Sequence, residues 1–137
     1  MEQAHHPLLQ QLATKLLAEF PELLAIYRFG SFGTENERPG SDIDLGLQGS
    51  HPLDPVSCFK ISGELATFSH RDVDLVDLLR CSTVMRAQVV ATGERVFCRD
   101  TYHCDLFAAQ ALSQYAHLNE ARAGILEDIQ RTGSVYG

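Results

Sequence analysis

No apolar run in this 137-residue chain approaches the roughly 18 residues that a membrane span needs. The N-terminal MEQAHHPLLQQ lacks the basic segment and apolar core of a secretory leader, so the expected compartment is the cytoplasm. The four cysteines, Cys58, Cys81, Cys98 and Cys104, contain no CxxC pair, and neither a zinc site nor a disulfide framework is indicated. The segment CRDTYHC at 98–104 offers Cys98, His103 and Cys104 to a metal, but a strand end followed by a helix start explains it equally well. His5 and His6 read as a solvated N-terminal pair. Clustered Lys and Arg are also missing. Eleven basic against 18 acidic residues leave a net charge of −7, which argues against direct binding to a nucleic-acid backbone. A polyanionic substrate must then be held by local devices such as metal ions or converging backbone amides.

What is present is an ordinary soluble composition, 45% apolar and 21% charged, without repeats, low-complexity tracts or a linker. The length suits one domain over 1–137, with its core at about 8–130, able to fold without a disulfide or structural metal. Leu8, Leu9, Leu12, Leu16 and Leu17 recur at helical spacing over 7–19, with Pro7 suited to a first turn. The run LLAIYRF at 23–29, between Pro21 and Gly30, predicts a strand, and SDIDLGL at 41–47 alternates with the period of another. The polar, turn-forming SFGTENERPG between them predicts a loop or a single helical turn. Further along, a helix at about 55–68, a strand at 72–79, a helix at 83–92 and the short strand ERVFC are expected. A long helix over 100–131, patterned on Leu106, Ala109, Leu112, Tyr115, Leu118, Ile125 and Ile129 and bent near Gly124, completes the order. That order predicts an α/β (α+β) domain with a small mixed sheet flanked by helices.

Residues 30–45, GSFGTENERPGSDIDL, raise a specific chemical question. Side chains at i and i+2 of a strand share a face, so Asp42 and Asp44 project together while Ile43 and Leu45 point the other way. Two neighbouring carboxylates repel unless something positive stands between them, and magnesium, which prefers hard oxygen ligands and phosphate, is the natural candidate. Gly30 closes the preceding strand without a side chain, so a phosphate can approach its backbone, and Ser31 adds a hydroxyl and an amide at the start of a turn. A phosphate cradle and a metal site then flank one cleft. In RDVDLVDLL, Asp74 shares a face with Val76 and Leu78 and can complete a carboxylate triad if this strand lies beside SDIDL. Asp72 is in phase with Asp74 but nearer the strand start, and is its main rival. Asp77 points the opposite way with Val73 and Leu75, toward a helix N-cap or the surface.

The Gly-Ser pair, the ten-residue spacing to the DxD and the later strand aspartate resemble the polymerase-β-type nucleotidyltransferase superfamily. RFGSFG, GSDIDLGL and DVDLVDLL in so short a chain resemble its minimal nucleotidyltransferases, or MNT proteins, which serve as antitoxins to HEPN-domain RNases. The resemblance covers roughly residues 8–130 and implies a polymerase-β-like nucleotidyltransferase fold. By it, Gly30 and Ser31, with Ser41, contact a nucleoside triphosphate. Asp42 and Asp44 hold two magnesium ions together with Asp74, which also assists deprotonation of an acceptor hydroxyl. The implied activity is transfer of AMP from ATP to a hydroxyl, a tyrosine above all, of a HEPN toxin, in a hetero-oligomer that silences the RNase. The same resemblance admits two other readings: adenylylation of a small hydroxylated molecule, or neutralisation by steric binding alone. One departure stands out. Many relatives follow the Gly-Ser with a small residue, an arginine and a glycine, where this chain has Gly33, Thr34 and Glu35, leaving Arg28 or Arg38 as possible substitutes.

Overall fold

The computed structural model describes residues 6–132, with side chains described through Glu127. His5 and the side chain of Ile129 lie outside the described residues. Helix α1 (Pro7–Glu19) leads to strand β1 (Ala25–Phe29) and strand β2 (Ile43–Gln48), followed by helix α2 (Pro55–Ser69) and strand β3 (Val73–Asp77). Helix α3 (Thr83–Thr92), strand β4 (Glu94–Cys98) and helix α4 (Thr101–Thr132) complete the chain. Helix starts carry local signals: Asp54 Oδ2 accepts from Ser57 N–H ahead of Pro55, and Ser82 Oγ accepts from Met85 N–H. His6 does more than face solvent, since its Nδ1 caps α1 by accepting from Leu8 N–H and its ring packs on Phe32. Helix α4 runs on through Gly124, because one glycine costs only about 1 kcal/mol inside a helix.

The sheet has the order β3-β2-β1-β4, with β1 antiparallel to both β2 and β4 and β2 parallel to β3. The parallel pair requires a crossover, which α2 supplies. Ile26, Ile43, Leu45, Leu47 and Val73 bury one face against α1 and α2. Ala25, Tyr27, Val76 and Leu78 pack on the other face with Val89 of α3 and Cys104 of α4. Gly46 admits this second layer: a Cβ there would stand 3.0 Å from Val89 Cγ1. Coverage on both sides explains why LLAIYRF is apolar and aromatic at every position but Arg28. Leu23 and Leu24 precede β1 but are held to its neighbours, Leu24 N–H bonding to Gln48 O and Leu24 O accepting from Arg99 N–H. No helix among the described residues is long and apolar enough to cross a membrane.

Candidate active site

At one end of the sheet β1 finishes at Phe29 while β2 and β3 begin at Ile43 and Val73. Phe29 pairs with Asp44, and Asp44 pairs in parallel register with Asp74. The two carboxylates therefore stand side by side across adjacent strands, on the face shared with Gly46 and Val76. Asp42, just before β2, is exposed on the same side, as is Asp74, while Asp44 is half-buried. The register favours Asp74 over Asp72, which lies outside the strand and whose carbonyl accepts from Ile43 N–H.

Burial first, then the negative charges of Asp74 and Asp42, and finally a hydrogen bond with Asp74 push the Asp44 carboxyl above its ordinary pKa. This is the electrostatic signature of a site short of positive charge. Asp44 is turned toward Asp74, and among the described residues no three His, Cys, Asp or Glu side chains converge closely enough to chelate an ion. The donor set nevertheless fits magnesium by its chemistry: three carboxylates on one face, two of them disfavoured as a bare anionic pair. Cys98, His103 and Cys104 do not assemble into a metal site. His103 pairs with Asp100 at the start of α4, and the buried Cys104 Sγ contacts Leu24 O at 3.4 Å.

Gly30 has φ +77°, a left-handed conformation that glycine adopts without steric cost. A Cβ there would collide with Asp44 Oδ2 and lie 3.2 Å from its Cγ. Strand β1 thus ends directly against the Asp44 carboxylate, and the absent side chain lets the turn and the carboxylate share one cleft. Ser31 is half-exposed where the turn begins, its carbonyl accepting from Thr34 N–H at 3.0 Å. The Ser41 hydroxyl is engaged by Arg38, accepting from its N–H at 2.8 Å and donating to its carbonyl at 2.7 Å, which tightens the turn just before Asp42.

Arg28 occupies the rear of this turn. It is buried, donates through Nη1 to Gly30 O at 2.8 Å, and places its Cδ 3.4 Å from where a Gly33 Cβ would stand. That position braces the Gly-Ser backbone and does not present the guanidinium to the cleft. Arg38 is exposed at the rim of the loop.

Sequence reading missed Arg71. Its Nη1 donates to Ser41 O at 2.9 Å, its Nη2 pairs with Glu37 Oε2 at 3.2 Å, and its guanidinium lies over the Phe32 ring at 4.6 Å. Glu37 Oε1 in turn accepts from Gly33 N–H at 3.0 Å. One cation thereby ties both ends of the 31–41 loop to the entry of β3. The available signal was a lone arginine directly before an acidic strand, but a separation of 30 residues from Ser41 hides the contact. Asp77 also has a role other than the expected N-cap or surface position: Asp54 and Ser82 are the caps, while Asp77 accepts from Leu53 N–H at 2.8 Å and Leu79 N–H at 3.0 Å.

The polymerase beta nucleotidyltransferase family model matches residues 11–102, a span that runs from α1 through β4 and includes Gly30, Asp42, Asp44 and Asp74. The chain belongs to this family. It is 38% identical over 117 residues, 84% of its length and 83% of the relative's, to the protein adenylyltransferase MntA of Shewanella oneidensis. Its fold superposes with a TM-score of 0.76 and 32% identity on a structure of the tri-AMPylated Shewanella oneidensis HEPN toxin in complex with MNT antitoxin, covering 90% of this chain and 97% of that one. A toxin–antitoxin structure with AMP-PNP is similar at a TM-score of 0.78 and 34% identity, over 88% of this chain and 98% of the other.

Proposed function

We propose that this protein is an antitoxin that transfers AMP from ATP to a tyrosine hydroxyl of a partner HEPN-domain RNase toxin. The observation that carries the reading is the parallel register of Asp44 with Asp74, set against the left-handed turn at Gly30, in a chain 38% identical to a protein adenylyltransferase. The similarity to a toxin–antitoxin structure with AMP-PNP supports a nucleoside triphosphate as substrate.

On this reading the Gly30–Ser31 turn, with Ser41 shaping its far end, receives the triphosphate through backbone amides and the Ser31 hydroxyl. Asp42, Asp44 and Asp74 would hold magnesium, which when bound supplies Lewis-acid stabilisation to the phosphate oxygens. The acceptor oxygen bonds to the α-phosphorus, the bond from that phosphorus to the bridging oxygen breaks, and pyrophosphate departs. Asp74, the outermost carboxylate of the row, accepts the hydroxyl proton. Modification places negative charge and bulk on the toxin, where either would repel an RNA backbone. Arg28 and Arg71 act on this site by fixing the loop, in a chain without the arginine that many relatives carry after the Gly-Ser.

Catalysis separates this reading from neutralisation by binding alone. With ATP and magnesium, one equivalent of this protein is expected to silence a large excess of the partner toxin. The toxin should gain one or a few adenylyl masses and stay silent after the proteins are separated. Inhibition confined to equimolar ratios and indifferent to chelation of magnesium would establish steric binding.

A further inference from the structure

From the position of a groove beside Asp74, we infer that the outer edge of β3 seats the polypeptide segment that delivers the acceptor tyrosine. The inference rests on the adenylyl-transfer reading and adds to it where the partner docks. The strand order β1, β2, β3 lays the Gly30–Ser31 turn, Asp44 and Asp74 in a row across the sheet. In phosphoryl-type transfer the attacking and leaving oxygens lie roughly in line across the phosphorus. Phosphates held at the β1 end of the row require the hydroxyl to enter from the β3 end.

At that end lies an open groove of about 400 Å³, bordered by Asp42, Asp72 and Asp74 on one side and by Phe59, Lys60 and Gly63 of α2 on the other. Strand β3 is an edge strand, paired among the described residues with β2 alone. Phe59, which lines this groove beside the carboxylates, is 84% exposed, and Val56, one turn earlier on α2, is 74% exposed. Gly63, one turn beyond Phe59, leaves the helix surface bare, since a Cβ there would meet nothing within 4 Å.

These features select the occupant. A phosphate backbone would meet Asp72, which lies outside the magnesium set, beside an apolar wall, and a small polar acceptor would leave Phe59 uncovered. A polypeptide segment covers the apolar wall, rests its backbone over Gly63, and can pair a basic residue with Asp72.

The test uses Phe59→Ser, which removes the wall, and Gly63→Phe, which fills the groove. Both positions face solvent, and a thermal melt confirms that each variant folds. Transfer to the purified partner HEPN protein is measured over a range of acceptor concentrations, and AMP-PNP affinity with magnesium is measured by calorimetry. The acceptor KM is expected to rise about tenfold or more in both variants, with AMP-PNP affinity within about twofold of the parent. An unchanged acceptor KM, or a parallel loss of AMP-PNP affinity, would overturn the groove assignment while leaving adenylyl transfer intact. Absence of transfer by the unaltered protein would overturn the underlying reading as well.

Discussion

Gly30 and Asp44 meet in a way that only a glycine at position 30 permits: the carboxylate of Asp44 occupies the space that a side chain there would take. Gly30→Ala therefore carries two penalties. The left-handed φ of +77° costs an alanine about 1–2 kcal/mol, and its methyl group must displace Asp44 Oδ2. We expect a folded protein melting a few degrees lower, with nucleotide transfer reduced at least about tenfold. A thermal melt and a labelled-ATP assay read the two effects separately, and a variant with parental transfer would remove Asp44 from the reaction.

Replacing both Asp42 and Asp44 with asparagine keeps volume and removes the anionic ligands. Transfer is expected to fall on the order of a hundredfold or more, since stabilisation by metal contributes several kcal/mol at about 1.4 kcal/mol per tenfold. Asp74→Asn should be comparably damaging and Asp72→Asn mild, because Asp74, and not Asp72, pairs in register with Asp44. Stability should move the other way. Asp44 is harder to ionise folded than unfolded, so the native state binds the proton more tightly, and stability falls as pH rises through that titration. In chelator, Asp44→Asn should lose this slope and melt above the parent at neutral pH.

Asp77→Ala addresses a carboxylate with a structural task. Its removal leaves Leu53 N–H and Leu79 N–H without their acceptor, at a cost of about 1–3 kcal/mol for a buried unpaired donor. Denaturant unfolding should shift by that amount while kcat stays near the parent. A loss of kcat in a stably folded variant would instead place Asp77 in the chemistry.

Arg71→Ala frees the 31–41 loop at Glu37, Ser41 and Phe32 at once. We expect the KM for ATP to rise about tenfold with a smaller change in kcat, because the loop positions the triphosphate and the carboxylates stay in the sheet. Arg71→Lys should recover part of the loss, since an ammonium can keep the Glu37 pair but not the planar two-pronged contact. Equal KM values for all three proteins would show that the loop holds its shape without this cation.

The helices and strands were legible because each is written in a local period. Leucines at helical spacing marked α1, and alternation marked β2 and β3, placing Asp42 and Asp44 on one face of their strand and Asp74 with Val76 and Leu78 on one face of its own. Boundaries moved by a few residues where backbone pairing overrode side-chain pattern. Asp72 fell outside β3, and Leu78, apolar and in phase, lies beyond its end with its N–H still bonded to Leu47 O.

By itself, the sequence determined the elements, the face each carboxylate takes and the Gly-Ser junction, since side-chain period and glycine's backbone freedom depend only on near neighbours. Only the tertiary structure decided which strands adjoin. It set Asp74 beside Asp44, turned Arg28 behind the loop, assigned Asp77 to backbone amides and brought Arg71 to Ser41. Each of these relationships joins residues distant in the chain or facing away from one another locally. They are selected by burial of both sheet faces and by satisfaction of polar groups at close range, quantities that exist only once the chain has folded.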